Sequence, residues 1–385
     1  MRIKKHIILA LSILMITPIA WAGNKDRSGQ AAAGELLLNP WAASSGLFAL
    51  NVANVKGLEA MKNNIAGLAN IDYTEIGLSH CRYIAGTGMS ISNVGVALPV
   101  GKDKTSVFGV NVMTFGFGEI PITTAENPSG GIGSFKPSFF NASLGYSKAF
   151  SKSMSAGLNV TFVNEAVTNI KANALGIDAG VQYKTGKKDN FKIGVSLRNI
   201  GTDLRFSGDG FKFNGNTPGG NNEITVAFPS EKFQLPSQLS LGASYDIYLD
   251  EGKKELDDEG NPMDTDYKAK HRLTPMLTFK SNSYAKDWVG LAAEYAYNES
   301  FFLRAAYRYE TDIISESDNT TLYSGLAAGV GYMTNFGKDA SATRLAFDYS
   351  YNHTRFNSGN HTLTLRIFLG GAEELAEIEE LDDDE

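Results

Sequence analysis

Reactive side chains are few in this 385-residue sequence, and their spacing is poor in chemistry. Cys81, the single cysteine, follows His80, and an imidazole beside a thiol can generate a thiolate nucleophile. The pair ends an apolar alternation and has no third group, a setting in which a lone cysteine is ordinarily a packing residue. The five histidines, His6, His80, His271, His353 and His361, show neither H-E-x-x-H nor another ligand spacing, so no metal is expected. Gly130-Gly131-Ile132-Gly133 lacks the strand–turn–helix setting in which a glycine loop cradles phosphate. Asp257, Asp258, Glu259, Gly260 and Asn261 miss the calcium-loop spacing and read as a solvated acidic turn. Gly-x-Ser-x-Gly does not occur and no Ser/His/acid set is legible, so neither an enzyme nor a cofactor site is expected.

Isolated charges in weakly polar stretches are the remaining candidates. Glu294, Arg304, Arg308 and Asp348 each stand among small residues and aromatics. Facing one lumen, they either line a transport path or pair across strands and brace a wall, and the second is the commoner arrangement.

The elements that carry these charges are strands. From about residue 72 onward apolar side chains recur at every second position, the strand period with one greasy face. Leu175, Ile177, Ala179, Val181 and Tyr183 alternate with Gly176, Asp178, Gly180 and Gln182, and Val289-Leu291-Ala293-Tyr295-Tyr297 repeats the pattern. The other face holds Gly, Ser, Ala, Asn and Thr with single charges such as Asp178, Arg198, Asp246 and Arg366. A soluble sandwich would hide the greasy face and expose charge. A polar inner face and an apolar outer one instead specify an all-β fold, a transmembrane antiparallel β-barrel in the bacterial outer membrane.

Strands are expected at 72–81, 88–100, 104–117, 138–148, 152–165, 171–185, 190–200, 237–248, 269–280, 286–297, 300–310, 321–335, 341–352 and 360–370, an even set of fourteen. Ile224–Phe228, a further apolar run, is assigned to a loop on that parity. Turns at 101–103, 149–151, 186–189, 298–299 and 336–340 are short and define one end of the barrel. Loops 118–137 and 201–236 are long and define the other, as expected of periplasmic turns and outward loops. The long acidic stretch 249–268 breaks the asymmetry. Tyr146, Tyr183, Tyr245, Tyr295, Tyr297 and Tyr332 fall at the turn end, where an interfacial aromatic girdle belongs. The long loops carry Ile120, Ile122 and Phe135, then Phe206, Phe211, Phe213 and Phe233, apolar side chains suited to contact with a partner or with the barrel mouth.

The N-terminus reads as an address. Arg2, Lys4 and Lys5 precede the apolar run 7–16 and Ala20-Trp21-Ala22, the pattern of a cleaved signal peptide over residues 1–22. Residues 36–55 are uncharged yet too polar for hydrocarbon, so 23–71 is expected to plug the lumen of a barrel spanning 72–370. Residues 371–385 form an acidic tail, expected in the periplasm. The net charge of −7 leaves no basic patch for nucleic acid, and one cysteine cannot staple a secreted domain.

Several segments together resemble the PorV/PorQ family of FadL-like outer-membrane barrels. Asn63-Asn64-Ile65-Ala66-Gly67-Leu68 is similar to that family's Asn-Pro-Ala-Gly-Leu signature, with Ile65 in place of the proline. Glu75–His80, Val94–Gly101, Leu197–Phe206, Leu235–Tyr245, Phe301–Tyr309 and Phe347–Phe368 follow in collinear order over roughly 45–370. The acidic tail falls outside the pattern. The resemblance implies a fourteen-stranded barrel with Asn63, Asn64 and Gly67 in a luminal plug, and a place in type IX secretion. PorV-like members hand secreted cargo from the translocon to surface attachment, and PorQ-like members anchor a surface partner. The alternative is a FadL-like channel for small hydrophobic compounds, and an open apolar lumen is what would distinguish it.

Overall fold

The computed structural model of the chain describes residues 27–216, 223–250, 270–336, 343–356 and 358–370. The expected signal peptide and acidic tail, and nearly all of the acidic stretch 249–268, lie outside the described residues.

Fourteen antiparallel strands form the wall: β1 Thr74–Arg82, β2 Ser90–Val100, β3 Ser106–Gly116, β4 Ser138–Ala149, β5 Met154–Val167, β6 Ile170–Thr185, β7 Phe191–Gly201, β8 Gln238–Tyr245, β9 His271–Asn282, β10 Trp288–Tyr297, β11 Phe301–Glu310, β12 Tyr323–Phe336, β13 Thr343–Thr354 and β14 Asn360–Leu369. Each pairs with its sequence neighbours. β1 pairs with β14 from Thr74↔Leu369 to Arg82↔His361, which closes the sheet and leaves no edge to be satisfied in hydrocarbon. Alternation sorts the side chains. Leu144, Leu291 and Leu363 are 59%, 64% and 62% exposed on the outside, whereas Asn111, Ser147 and Ser350 are fully buried inside.

The turns between β2 and β3, β4 and β5, β6 and β7, and β10 and β11 define a turn end, and the connections β3–β4 and β7–β8 a loop end. Tyr146, Tyr183, Tyr245, Tyr297 and Tyr332 project outward near the turn end, and the Tyr295 hydroxyl meets His271 Nδ1 at 2.6 Å among them. The run at 224–228, assigned to a loop, lies in one and is largely a strand there. Glu223–Ala227 pairs with Lys212–Asn216 in a hairpin inside the β7–β8 connection, so it adds nothing to the wall. Its apolar residues alternate because a hairpin alternates too, and periodicity alone does not tell a wall strand from a loop strand.

The segment before β1 is buried against the inner wall. It contains short helical turns at Gly34–Leu37, Ala42–Ser45, Gly57–Lys62 and Ile65–Ala69. It starts at the loop end, where Ala32 N–H donates to Gln234 O at 3.2 Å and the Arg27 guanidinium covers the Tyr284 ring. It leaves at the turn end, where Asn70 donates to Gln182 at 2.7 Å and the Tyr73 ring meets Phe368. Between them Trp41, Leu58, Met61, Ile65 and Leu68 pack with Ala97 and Val107 of the wall as one buried cluster.

Glycine on the inner face makes that fit possible. A Cβ at Gly77 would lie 2.7 Å from the Trp41 ring, one at Gly145 2.8 Å from Ile65, and one at Gly180 2.0 Å from Asn64 Oδ1. At Gly194 it would stand 2.3 Å from the backbone oxygen of Val52, a contact no rotamer change relieves. The small residues of the inward face thus record the shape of the segment they enclose. Gly194→Val is expected to displace the segment and to destabilise the barrel by about 1–3 kcal/mol, the usual cost of overpacking. Gly215→Val, in the loop hairpin with nothing within 4 Å, should be neutral. Proteolysis of the N-terminal segment and the heat-dependent electrophoretic shift of the folded barrel measure both.

Candidate functional site

Glu294, Arg304 and Asp348 come together on the inner wall. Glu294 on β10 lies directly opposite Arg304 on β11 in the ladder, and Arg304 Nε donates to Glu294 Oε2 at 2.7 Å. Asp348 is on β13, two strands from Arg304, yet Arg304 Nη1 donates to Asp348 Oδ1 at 2.7 Å. The intervening strand allows this by carrying Gly331 opposite Asp348. A Cβ at Gly331 would sit 2.4 Å from Asp348 Oδ1 and 2.8 Å from Arg304 Nη1.

The pairing extends in both directions. Arg366 on β14 donates to Asp348 Oδ2 at 2.8 Å, and its other nitrogen lies 3.6 Å from both Glu59 and Glu75. On the other side Arg272 reaches Glu294 at 3.2 Å, Glu299 at 2.6 Å and Asp246 at 3.7 Å, and Lys192 ends the chain on Asp246 at 2.5 Å. An alternating line of charge therefore runs along the inner wall from β7 to β1. It also grips the N-terminal segment, because Glu59 accepts from Ser44 N–H at 2.9 Å and Glu75 from Leu58 N–H at 2.9 Å. Gly57 is the residue that admits Glu75: its backbone is left-handed at φ 63°, and a Cβ there would be 1.9 Å from the carboxylate.

Arg308 is not part of this line. It bonds Thr321, lies 3.6 Å from Glu310, and faces the Trp288 and Tyr323 rings at 5.1 Å each. Asn63, Asn64 and Gly67 form the turn of the N-terminal segment. Asn63 Nδ2 donates to Asn51 Oδ1 at 2.8 Å. Asn64 Nδ2 donates to Val52 O and Val181 O, while its Oδ1 accepts from Ala66 N–H and caps the last helical turn. Gly67 lies so close to Val55 that a Cβ would be 2.0 Å from its carbonyl oxygen. Ile65, at the position where the resembled signature has proline, packs over Gly145.

The loop residues divide into two groups. Phe206 and Phe233 pack on each other at 6.4 Å, and Phe206 also lies on the buried Ala33, Leu36, Leu204 and Leu235, so they seal the mouth. Ile120, Phe135 and Phe211 are half-buried. Ile122 and Phe213 are exposed, and Phe213 shares its hairpin with exposed Ile224 and Val226 and stacks edge-on against exposed Phe228. Sequence reasoning missed Glu59, Glu75 and Lys62. A charge beside the uncharged run 36–55 is the signal that could have found them. A concavity of about 730 Å³ lies against the lipid-side residues Leu78, Val94, Tyr332, Phe347 and Leu363.

The family of type IX secretion system membrane proteins PorP/SprF matches residues 129–367. The toluene transporter TodX of Pseudomonas putida resembles the structure with TM-score 0.49 and 14% identity, covering 86% of this chain and 97% of that one. A FadL homologue of Pseudomonas aeruginosa gives TM-score 0.47 and 13% identity over 86% of this chain and 98% of that one. No curated protein matches the sequence. The match is to PorP/SprF, where the motifs had resembled PorV/PorQ; what these readings share, an outer-membrane barrel of type IX secretion, holds for this chain. Those motifs are short strand patterns that many barrels can carry, and the plug signature at 63–68 lies outside the matched residues.

Removing Arg304 leaves buried Asp348 and half-buried Glu294 each short of a partner, a loss of about 3–5 kcal/mol for a buried pair broken on one side. Arg304→Met should therefore lower the urea midpoint of barrel unfolding strongly. Adding Asp348→Leu and Glu294→Leu should recover most of it, and a double-mutant cycle on Arg304 and Asp348 reads the coupling directly.

Proposed function

The chain belongs to the PorP/SprF family of type IX secretion system membrane proteins, and on that premise we propose that it is a binding component of the secretion machinery rather than a channel. Translocon or surface-attachment proteins, or secreted cargo, dock on its loop end. The observation that carries this reading is the hairpin Lys212–Ala227, which holds Phe213, Ile224, Val226 and, just beyond it, Phe228 away from the wall with their apolar surface open. Apolar side chains so placed on a projecting loop favour contact with another protein. Filling of the lumen by residues 33–71 supports the same reading, because a segment packed on backbone and bonded to several strands does not move aside as a gate for a small solute. Catalysis has no part in the proposal.

With loops outward and turns inward, this reading expects the acidic tail in the periplasm. It expects the N-terminal segment to start at the cell surface, since Arg27 and Ala32 contact Tyr284 and Gln234 at the loop end. An epitope just after Gly23 should then be reached by antibody on intact cells, and one at 371–385 should not.

Deleting the hairpin tip, or changing Phe213→Ser with Phe228→Ser, should leave an intact, heat-modifiable barrel that no longer copurifies with secretion partners or cargo. If binding persists while Arg304→Met alters uptake of a small apolar compound, the FadL-like channel is the better reading.

A further inference from the structure

A cavity of about 320 Å³ lies in the loop-end half of the lumen, between the N-terminal segment and the strand ends around Cys81, Trp288 and Arg308. Its charged lining is one-sided: Lys62, Arg198, Lys280, Lys286 and Arg308 against Glu310. Two of the cations are already neutralised. Lys286 meets Asp312 at 2.8 Å and Arg308 lies 3.6 Å from Glu310. Among the described residues, Lys62, Arg198 and Lys280 have no carboxylate within 4.0 Å, although they are 2%, 5% and 3% exposed. Arg198 spends one nitrogen on Leu36 O at 3.1 Å, and its buried Nε has no partner. Arg308 Nε is unpartnered as well.

Burying three unpaired cations beside each other is costly unless something anionic joins them. Lys62 belongs to the luminal segment and not to a strand, and the carboxylates nearest this group, Asp178 and Glu35, stand beyond ion-pair distance. The rest of the lining suits an anion with an organic body. The Trp288 ring lies 5.1 Å from the Lys280 ammonium, and Gln238 stands at the same wall with its amide nitrogen donating to Asn282 Oδ1 at 2.8 Å. The volume exceeds that of a single water by about tenfold, water occupying about 30 Å³.

The geometry points to an anion-binding site at Lys62, Arg198 and Lys280, in the loop-end half of the lumen, that takes a carboxylate or phosphate group. The ion-paired line on the turn-end side of the lumen uses none of these three residues.

The full chain, purified in an uncharged maltoside detergent, is titrated at constant ionic strength with benzoate and, separately, with inorganic phosphate. Trp288 emission is the reporter, because that ring touches Lys280. A saturable change is expected, weakened at least tenfold in Lys280→Met and unaltered in Lys148→Gln, an exposed lysine near the turn end. Lys62→Gln serves as the second site variant if Lys280→Met does not reach the heat-modifiable folded form. Response to phosphate alone assigns a phosphate group, response to benzoate alone a carboxylate, and response to both an anion site indifferent to source. No saturable response to either, or equal response in the folded site variant, overturns the proposal.

Discussion

A membrane wall one strand thick can approach what it encloses only as closely as its inward side chains permit, and here those side chains are reduced to hydrogen. Gly77, Gly145, Gly180 and Gly194 bring the N-terminal segment against the backbone of the wall. Other features of the interior follow from that contact. The segment satisfies its own backbone and amides on wall groups, as Asn64 does with Val181 O and Ser147 does with Ala66 O. Such hydrogen bonds are worth most where water is excluded.

The charge line is the second consequence of small residues. Opposite charges two strands apart meet only because Gly331 leaves the strand between them bare. Each carboxylate of the line has at least one guanidinium or ammonium partner, and Arg366 is shared between the wall and the segment through Glu59. An arrangement of this kind adds little net stability compared with an apolar core, but it penalises any register in which a partner is missing. Wall register and segment position are therefore specified together.

Much of the wall was legible in the sequence, because a strand that faces lipid on one side and small polar residues on the other has an unambiguous period. Leu175-Ile177-Ala179-Val181-Tyr183 could be read no other way. The interior was less legible. Glu294, Arg304 and Asp348 were recognisable as inward charges, but Asp348 finds Arg304 through a gap in a third strand, which no local pattern encodes. Arg308 looked equivalent and is not, since two periods of alternation further along its strand it meets Thr321 and aromatic rings instead of the carboxylates of that line. The loop aromatics looked alike as well. Phe206 and Phe233 close the mouth while Phe213 points away, a distinction set by the hairpin pairing of Lys212–Asn216 with Glu223–Ala227.

The path of the N-terminal segment also imposes an order in time. It runs the depth of the lumen before β1 begins, and β1 then pairs with β14, the last of the described strands. Once that seam has formed, the segment is encircled, with wall backbone within contact distance on several sides. Entry afterward would require the seam to reopen or the segment to be drawn lengthwise past its own glycine sockets. Assembly is therefore simplest as closure of the wall around a template already in place, so that the segment ahead of β1 directs the pairing of β1 with β14.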